Sequence, residues 1–136
     1  MDARELMLLA EQAALTAYAP YSKFCVGAAL VCEDGSVYTG CNIENAAYGL
    51  CNCAERTAIF KAVSEGHRNI RQIAVAGKPQ DGEYIPCCSP CGSCRQVMAE
   101  FGDSSMEIIL GRSSDELKVW TPQELLPASF ELEVKE

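Results

Sequence analysis

The chain has 136 residues, 49% of them apolar, and a formal net charge of −8 from 19 acidic and 11 basic residues. This length fits one domain with one packed core, residues 1–136, while the acidic balance and the lack of any basic run argue against DNA or RNA as a partner. The longest apolar run, Phe24–Cys32, has nine residues against the roughly 18 that a bilayer span needs, so no membrane association is expected.

Residues 3–18 carry Leu6, Leu9, Ala10, Ala13, Ala14 and Ala17 on one helical stripe, which Pro20 stops. Asp2, Glu5 and Glu11 fall where a secretory leader would be basic and then apolar, so a cytoplasmic location is expected. Phe24–Cys32 reads as a buried strand and Val37–Cys41 as its hairpin partner, joined by Glu33-Asp34-Gly35-Ser36 with Asp-Gly at its centre. The stretch Asn42–Asn52 is polar, irregular and rich in Asn, which is the character of a loop that binds something. Cys53–Val63 is helical, Ile70–Ala76 a strand, and 77–90 a Gly/Pro-rich loop. Cys91–Phe101 is a helix, Met106–Leu110 a strand and Leu117–Trp120 a short last strand. Thr121-Pro122-Gln123-Glu124 carries the signature of a helix start: Thr as N-cap, Pro first, Glu third. A hairpin followed by strand–helix units makes an α/β protein, a three-layer α/β/α sandwich around a mixed sheet of about five strands.

Nine cysteines is an odd number, and without an export signal they point to metal or thiol chemistry rather than disulfides. Two clusters stand out. Cys53-Ala54-Glu55 opens one helix, and Pro90-Cys91-Gly92-Ser93-Cys94, whose first Cys follows Cys53 by 38 residues, opens another. Free N–H groups and the positive end of a helix dipole favour thiolate, the form that binds metal. Three thiolates fill three tetrahedral positions around zinc and leave the fourth for water, the arrangement of a catalytic site. Glu55 lies two residues past the first ligand, close to the metal without binding it, where it can accept and return a proton. A ligand-x-Glu followed by Pro-Cys-x-x-Cys is the pattern of zinc deaminases of nucleobases.

The resemblance extends further. Ala17-Tyr18-Ala19-Pro20-Tyr21-Ser22, Asn42-Ile43-Glu44-Asn45-Ala46-Ala47-Tyr48, Cys53-Ala54-Glu55-Arg56, Pro90-Cys91-Gly92-Ser93-Cys94-Arg95-Gln96 and Leu125-Leu126-Pro127 are similar to the small homotetrameric cytidine deaminases. That resemblance implies one zinc ion per chain on Cys53, Cys91 and Cys94, with Glu55 as proton shuttle. It implies that Asn42 and Glu44 hold the ribose, that Ala54 lies against the substrate and that Phe24 sits beside the pyrimidine ring. It further implies that Tyr48 and Phe130 are contributed to the sites of neighbouring subunits, and that Arg56 withdraws charge from the thiolates, restoring acidity to an electron-rich zinc. The implied reaction is hydrolysis of free cytidine or 2′-deoxycytidine to uridine or 2′-deoxyuridine and ammonia, a step of pyrimidine salvage.

Other readings of the residues stay open at this point. Cys51 competes with Cys53 as a ligand, and Cys88 repeats the spacing of Cys91 and Cys94, though Glu55 has the right offset only from Cys53. Cys25, Cys32 and Cys41 read as small core residues, and His67 as an exposed loop residue. Competing functions are a deaminase of a modified cytosine nucleoside on the same fold and a structural four-thiolate zinc module.

Overall fold

The computed structural model describes residues 1–132. Helix α1 (Ala3–Ala14) is followed by strands β1 (Phe24–Cys32) and β2 (Val37–Cys41), a 3-10 turn (Tyr48–Leu50), helix α2 (Ala54–Ser64), strand β3 (Ile70–Pro79), helix α3 (Gly92–Phe101), strands β4 (Glu107–Leu110) and β5 (Lys118–Trp120), and the short helix α4 (Pro122–Leu125). The five strands form one sheet in the order β2-β1-β3-β4-β5. Only β3 and β4 run parallel, so the sheet is mixed as expected.

Alternation along the strands divides the core into two layers. Ala28, Leu30 and Cys32 of β1, Ile73 and Val75 of β3, and Ile108 and Leu110 of β4 face α2 and α3 and pack with Ala58, Ile59 and Met98. The residues between them, Ala29, Val31, Ala74, Ala76 and Ile109, face Leu6, Met7 and Ala10 of α1. Each large side chain buried in this way contributes about 1.5–3 kcal/mol. The three-layer arrangement is therefore α1 on one face, the sheet, and α2 with α3 on the other.

Two glycines let helices lie directly on strands. A Cβ at Gly27 would run into the backbone of Ala10 and Ala14, and one at Gly40 would meet Ala58 N at 2.6 Å and Ala54 O at 2.7 Å. The second contact presses the first turn of α2 onto β2. The Asp34-Gly35 turn forms as its sequence predicts, with Gly35 at φ 91°. The capping box of α4 also forms: Glu124 N donates to Thr121 Oγ1, and Thr121 N to Glu124 Oε1.

Three expectations need correction. The first helix ends at Ala14 rather than at residue 18. Leu15, Thr16 and Ala17 donate their N–H groups to carbonyls three residues back, and Tyr18 N leaves the helix to bond Asn42 O at 3.0 Å. Tertiary pairing thus overrides the apolar stripe. His67 is half-buried, its Nε2 paired with Tyr38 Oη at 3.1 Å and its ring 5.4 Å from the tyrosine ring. Of the three strand cysteines, Cys32 is a core residue, whereas Cys25 and Cys41 are half-buried.

Phe24 pairs with Pro79 and Gly27 with Cys41, so the start of β1 and the ends of β2 and β3 lie at one end of the strands. The segments 42–53 and 80–91 leave the sheet at this end and lead into α2 and α3. Ligand sites of α/β sheets lie beyond such strand ends.

Candidate active site

Cys53 is the N-cap residue of α2, and Cys91 that of α3. Cys94 lies one turn into α3 and is fully buried. Chain segments 38 residues apart thereby present their thiols to a common point. Cys53 Sγ is 3.9 Å from Cys91 Sγ, and Cys91 Sγ is 3.4 Å from Cys94 Sγ. All three lie within 4.8 Å of one another, the single cluster of this kind among the described residues. Zinc at about 2.3 Å from each of three tetrahedral sulfurs requires sulfur–sulfur separations of about 3.8 Å. The observed trio brackets that value, so the donor set fits zinc.

Local electrostatics prepare the thiols. A hydrogen bond from the Cys94 thiol and the Arg56 guanidinium bring Cys53 down to about 5, against the effect of burial. Arg56 Nη2 donates to Cys53 Sγ at 3.1 Å. The same thiols hold Arg56 firmly protonated. Arg56 Nε is buried without a partner, so the guanidinium has donor capacity left for a more negative sulfur cluster. Glu55, the second residue of α2, is 4% exposed. Burial raises its pKa, and the neighbouring charge of Cys53 adds to the rise.

These groups form part of the wall of a cleft of about 670 Å³. Asn42, Glu44, Tyr48, Ala54, Glu55 and Arg56 all line it, with Cys53 and Cys91. Asn42 is braced on both sides of its amide: Oδ1 accepts from Val26 N at 2.8 Å, and Nδ2 donates to Phe24 O at 2.9 Å. It keeps one N–H and one lone pair for a ligand. Glu44 Oε1 accepts the N–H groups of Tyr21 and Ser22 at 3.0 and 3.1 Å. The Ser22 hydroxyl, together with those bonds, holds its carboxyl below the usual range, so it is an anion able to accept from sugar hydroxyls.

Phe24, expected beside the pyrimidine ring, and Phe130, expected at a neighbouring subunit's site, are not among the residues that line this cleft. Phe24 is half-buried at the start of β1, and its ring edge and the Cys88 thiol converge over Gly77. Phe130 lies beyond α4, its backbone paired with the Gln96 amide and its side chain 69% exposed.

Ser22, Val26, Gly49, Cys51, Asn52, Cys88, Ser89 and Ser93 complete the cleft. The motifs gave Val26 and Ser89 no place in the site, because each reaches it from a separate segment through the fold rather than through a short-range pattern. Cys88 is outside the thiol trio, and burial pushes its thiol up to about 12, so it stays protonated. Cys51 is likewise engaged elsewhere, with Asn45. Arg95 clamps the approach to Cys91: Nε donates to Pro90 O at 2.9 Å, Nη2 to Ser89 Oγ at 2.8 Å and Nη1 to Leu125 O at 2.8 Å.

Comparison with known proteins agrees with this geometry. Residues 1–110 match the family model of the cytidine and deoxycytidylate deaminase zinc-binding region. A cytidine deaminase of Halalkalibacterium halodurans is 50% identical over 133 residues, 98% of this chain and 97% of that protein. One from Sporosarcina psychrophila is 48% identical over 133 residues, 98% of this chain and 94% of that protein. Among solved structures, the crystal structure of cytidine deaminase from Burkholderia pseudomallei superposes with a TM-score of 0.85 at 48% identity, covering 96% of this chain and all of that one.

Proposed function

We infer that this chain, which belongs to the cytidine and deoxycytidylate deaminase zinc-binding family, catalyses the hydrolytic deamination of cytidine to uridine with release of ammonia. Free 2′-deoxycytidine is a second substrate in this reading, and the reaction serves pyrimidine salvage in the cytoplasm. The observation that carries it is the convergence, in one cleft, of a three-thiol cluster, a buried Glu55 and the polar pair Asn42 and Glu44.

Cys53, Cys91 and Cys94 would hold one zinc ion at the wall of the cleft. When bound, zinc supplies the Lewis acidity that makes water a nucleophile near neutral pH. Glu55 takes a proton from the attacking water and passes it to ring N3, then assists protonation of the departing amino group at C4. Its buried position strengthens it as a base, because water does not compensate its charge. Asn42 and Glu44 orient the nucleoside through the ribose, and Ala54 lies against it. The carboxylate of Glu44 repels a phosphate, so nucleosides are preferred to nucleotides. Arg56 spreads the negative charge of the thiolates.

The active unit in this reading is a homotetramer in which neighbouring copies bring Tyr48 and Phe130 to one another's sites. Support comes from Tyr48, 91% exposed at the cleft mouth, and from the exposed ring of Phe130. Light scattering on the purified protein tests the assembly.

The decisive assay mixes the purified protein with cytidine and follows the ultraviolet spectrum and ammonia release, before and after metal removal. Zinc-dependent formation of uridine is expected. A zinc-loaded protein that leaves cytidine unchanged would overturn the substrate, and a protein that binds no zinc would overturn the site.

A further inference from the structure

The cleft has a wall whose shape depends on a thiol that takes no part in the metal cluster. The segment 42–53 leaves β2 and returns to α2 as a loop closed at its neck by a two-way backbone bridge: Ile43 N donates to Asn52 O at 3.0 Å and Asn52 N to Ile43 O at 2.9 Å. Above that bridge the ladder stops, because Cys51 N turns inward to Tyr48 O at 3.1 Å. The Cys51 side chain supplies the missing rung. Its Sγ accepts the N–H of Asn45 at 3.3 Å and donates to Asn45 O at 3.6 Å. Asn45 in turn accepts the N–H of Ala47 on Oδ1 at 2.8 Å, and Leu50 N closes the turn on Ala47 O at 2.9 Å. Tyr48 and Gly49, at the tip, line the cleft together with Cys88 and Ser89.

We propose that Cys51 is a positioning residue for substrate binding: its thiol replaces a backbone rung between Asn45 and Cys51 and holds the 44–50 turn, with Gly49 at the wall of this cleft and the exposed Tyr48 poised at its mouth for a neighbouring copy's site. This inference rests on the cytidine reading above. Glu55 and Cys94 stand on α2 and α3, Cys91 caps α3, and Cys53 caps α2 on the far side of the Ile43–Asn52 bridge from the thiol rung, so losing that rung leaves them in place. Without it the 44–50 segment samples several arrangements. Affinity then falls by the fraction of molecules whose cleft is formed, while turnover of bound substrate is retained.

The test compares Cys51→Ala, Cys51→Val and Cys51→Ser with the native enzyme. The Ala and Val variants should raise KM for cytidine about three- to tenfold, the effect of a lost side-chain hydrogen bond, with kcat within about twofold. The Ser variant, whose hydroxyl both donates and accepts, should return KM to within about twofold of native. Zinc content should be unchanged in all three. Amide hydrogen exchange at Asn45 and Ala47 should quicken in the Ala and Val variants and return towards native in Ser. Unchanged KM and exchange in Cys51→Ala, a loss confined to kcat, or failure of Ser to rescue would each overturn the proposal. A native protein inactive on cytidine would instead overturn the functional reading, while the exchange experiment still decides whether Cys51 holds the loop.

Discussion

The guanidinium of Arg56 lies against the thiol of Cys53, Nη2 to Sγ 3.1 Å, one helical turn along α2. The contact couples a cation to the sulfur that sits at the helix start, so the thiolate is stabilised from two sides. It is also local in sequence, since an N-cap side chain and a residue three positions on share one face.

Replacing Arg56 with Gln removes the cation while keeping a neutral donor. Zinc affinity or kcat/KM should fall about 10- to 100-fold, the range for losing a partner that orients and tunes a metal ligand. Metal titration and steady-state kinetics measure the two quantities, and native values for both would mean that the Arg56–Cys53 contact does not tune the metal site.

Glu55→Gln keeps the volume at a nearly closed position and removes the base. The variant should retain one zinc per chain and lose about 10²- to 10⁴-fold in kcat, the usual contribution of a positioned acid–base group. Normal turnover would remove Glu55 from proton transfer.

Serine substitutions separate the ligand set from its sequence neighbours. Cys53→Ser, Cys91→Ser and Cys94→Ser should each lose zinc on dialysis, whereas Cys88→Ser should hold one ion per chain. The Cys88 thiol is kept protonated by burial and lies outside the trio. Zinc loss from Cys88→Ser would restore the structural four-thiolate reading.

Gly40→Ala places a methyl group 2.6 Å from Ala58 N and 2.7 Å from Ala54 O, both backbone atoms that cannot swing aside. The substitution should cost about 1–3 kcal/mol and lower Tm. Gly49, where a methyl group would have nothing within 4 Å, serves as the control and should shift Tm little on change to Ala. Equal Tm values for the two variants would show that α2 is free to move off β2.

Much of the site is legible in the chain because its parts are local. Helix starts at Cys53 and Cys91, the Asp34-Gly35 turn and the Thr121–Glu124 box each depend on neighbours within four residues, and all form. The end of α1 is not legible, for the complementary reason. Its apolar stripe continues to Ala17, but the N–H of Tyr18 is taken by Asn42, a partner 24 residues away.

By itself, the sequence determined the α/β class and marked two local clusters, Cys53 with Glu55 and Cys91 with Cys94, because ligand spacing and helix capping act over a single turn. Tertiary structure alone decided that Cys53 and Cys91 meet across 38 residues, that Val26, Cys51 and Cys88 share one cleft, and that Asn42 braces β1 while facing it. Such contacts depend on how close α2 lies to β2 and where each loop leaves the sheet. That depth of packing is set by side chains and glycines throughout the core, which no short motif records.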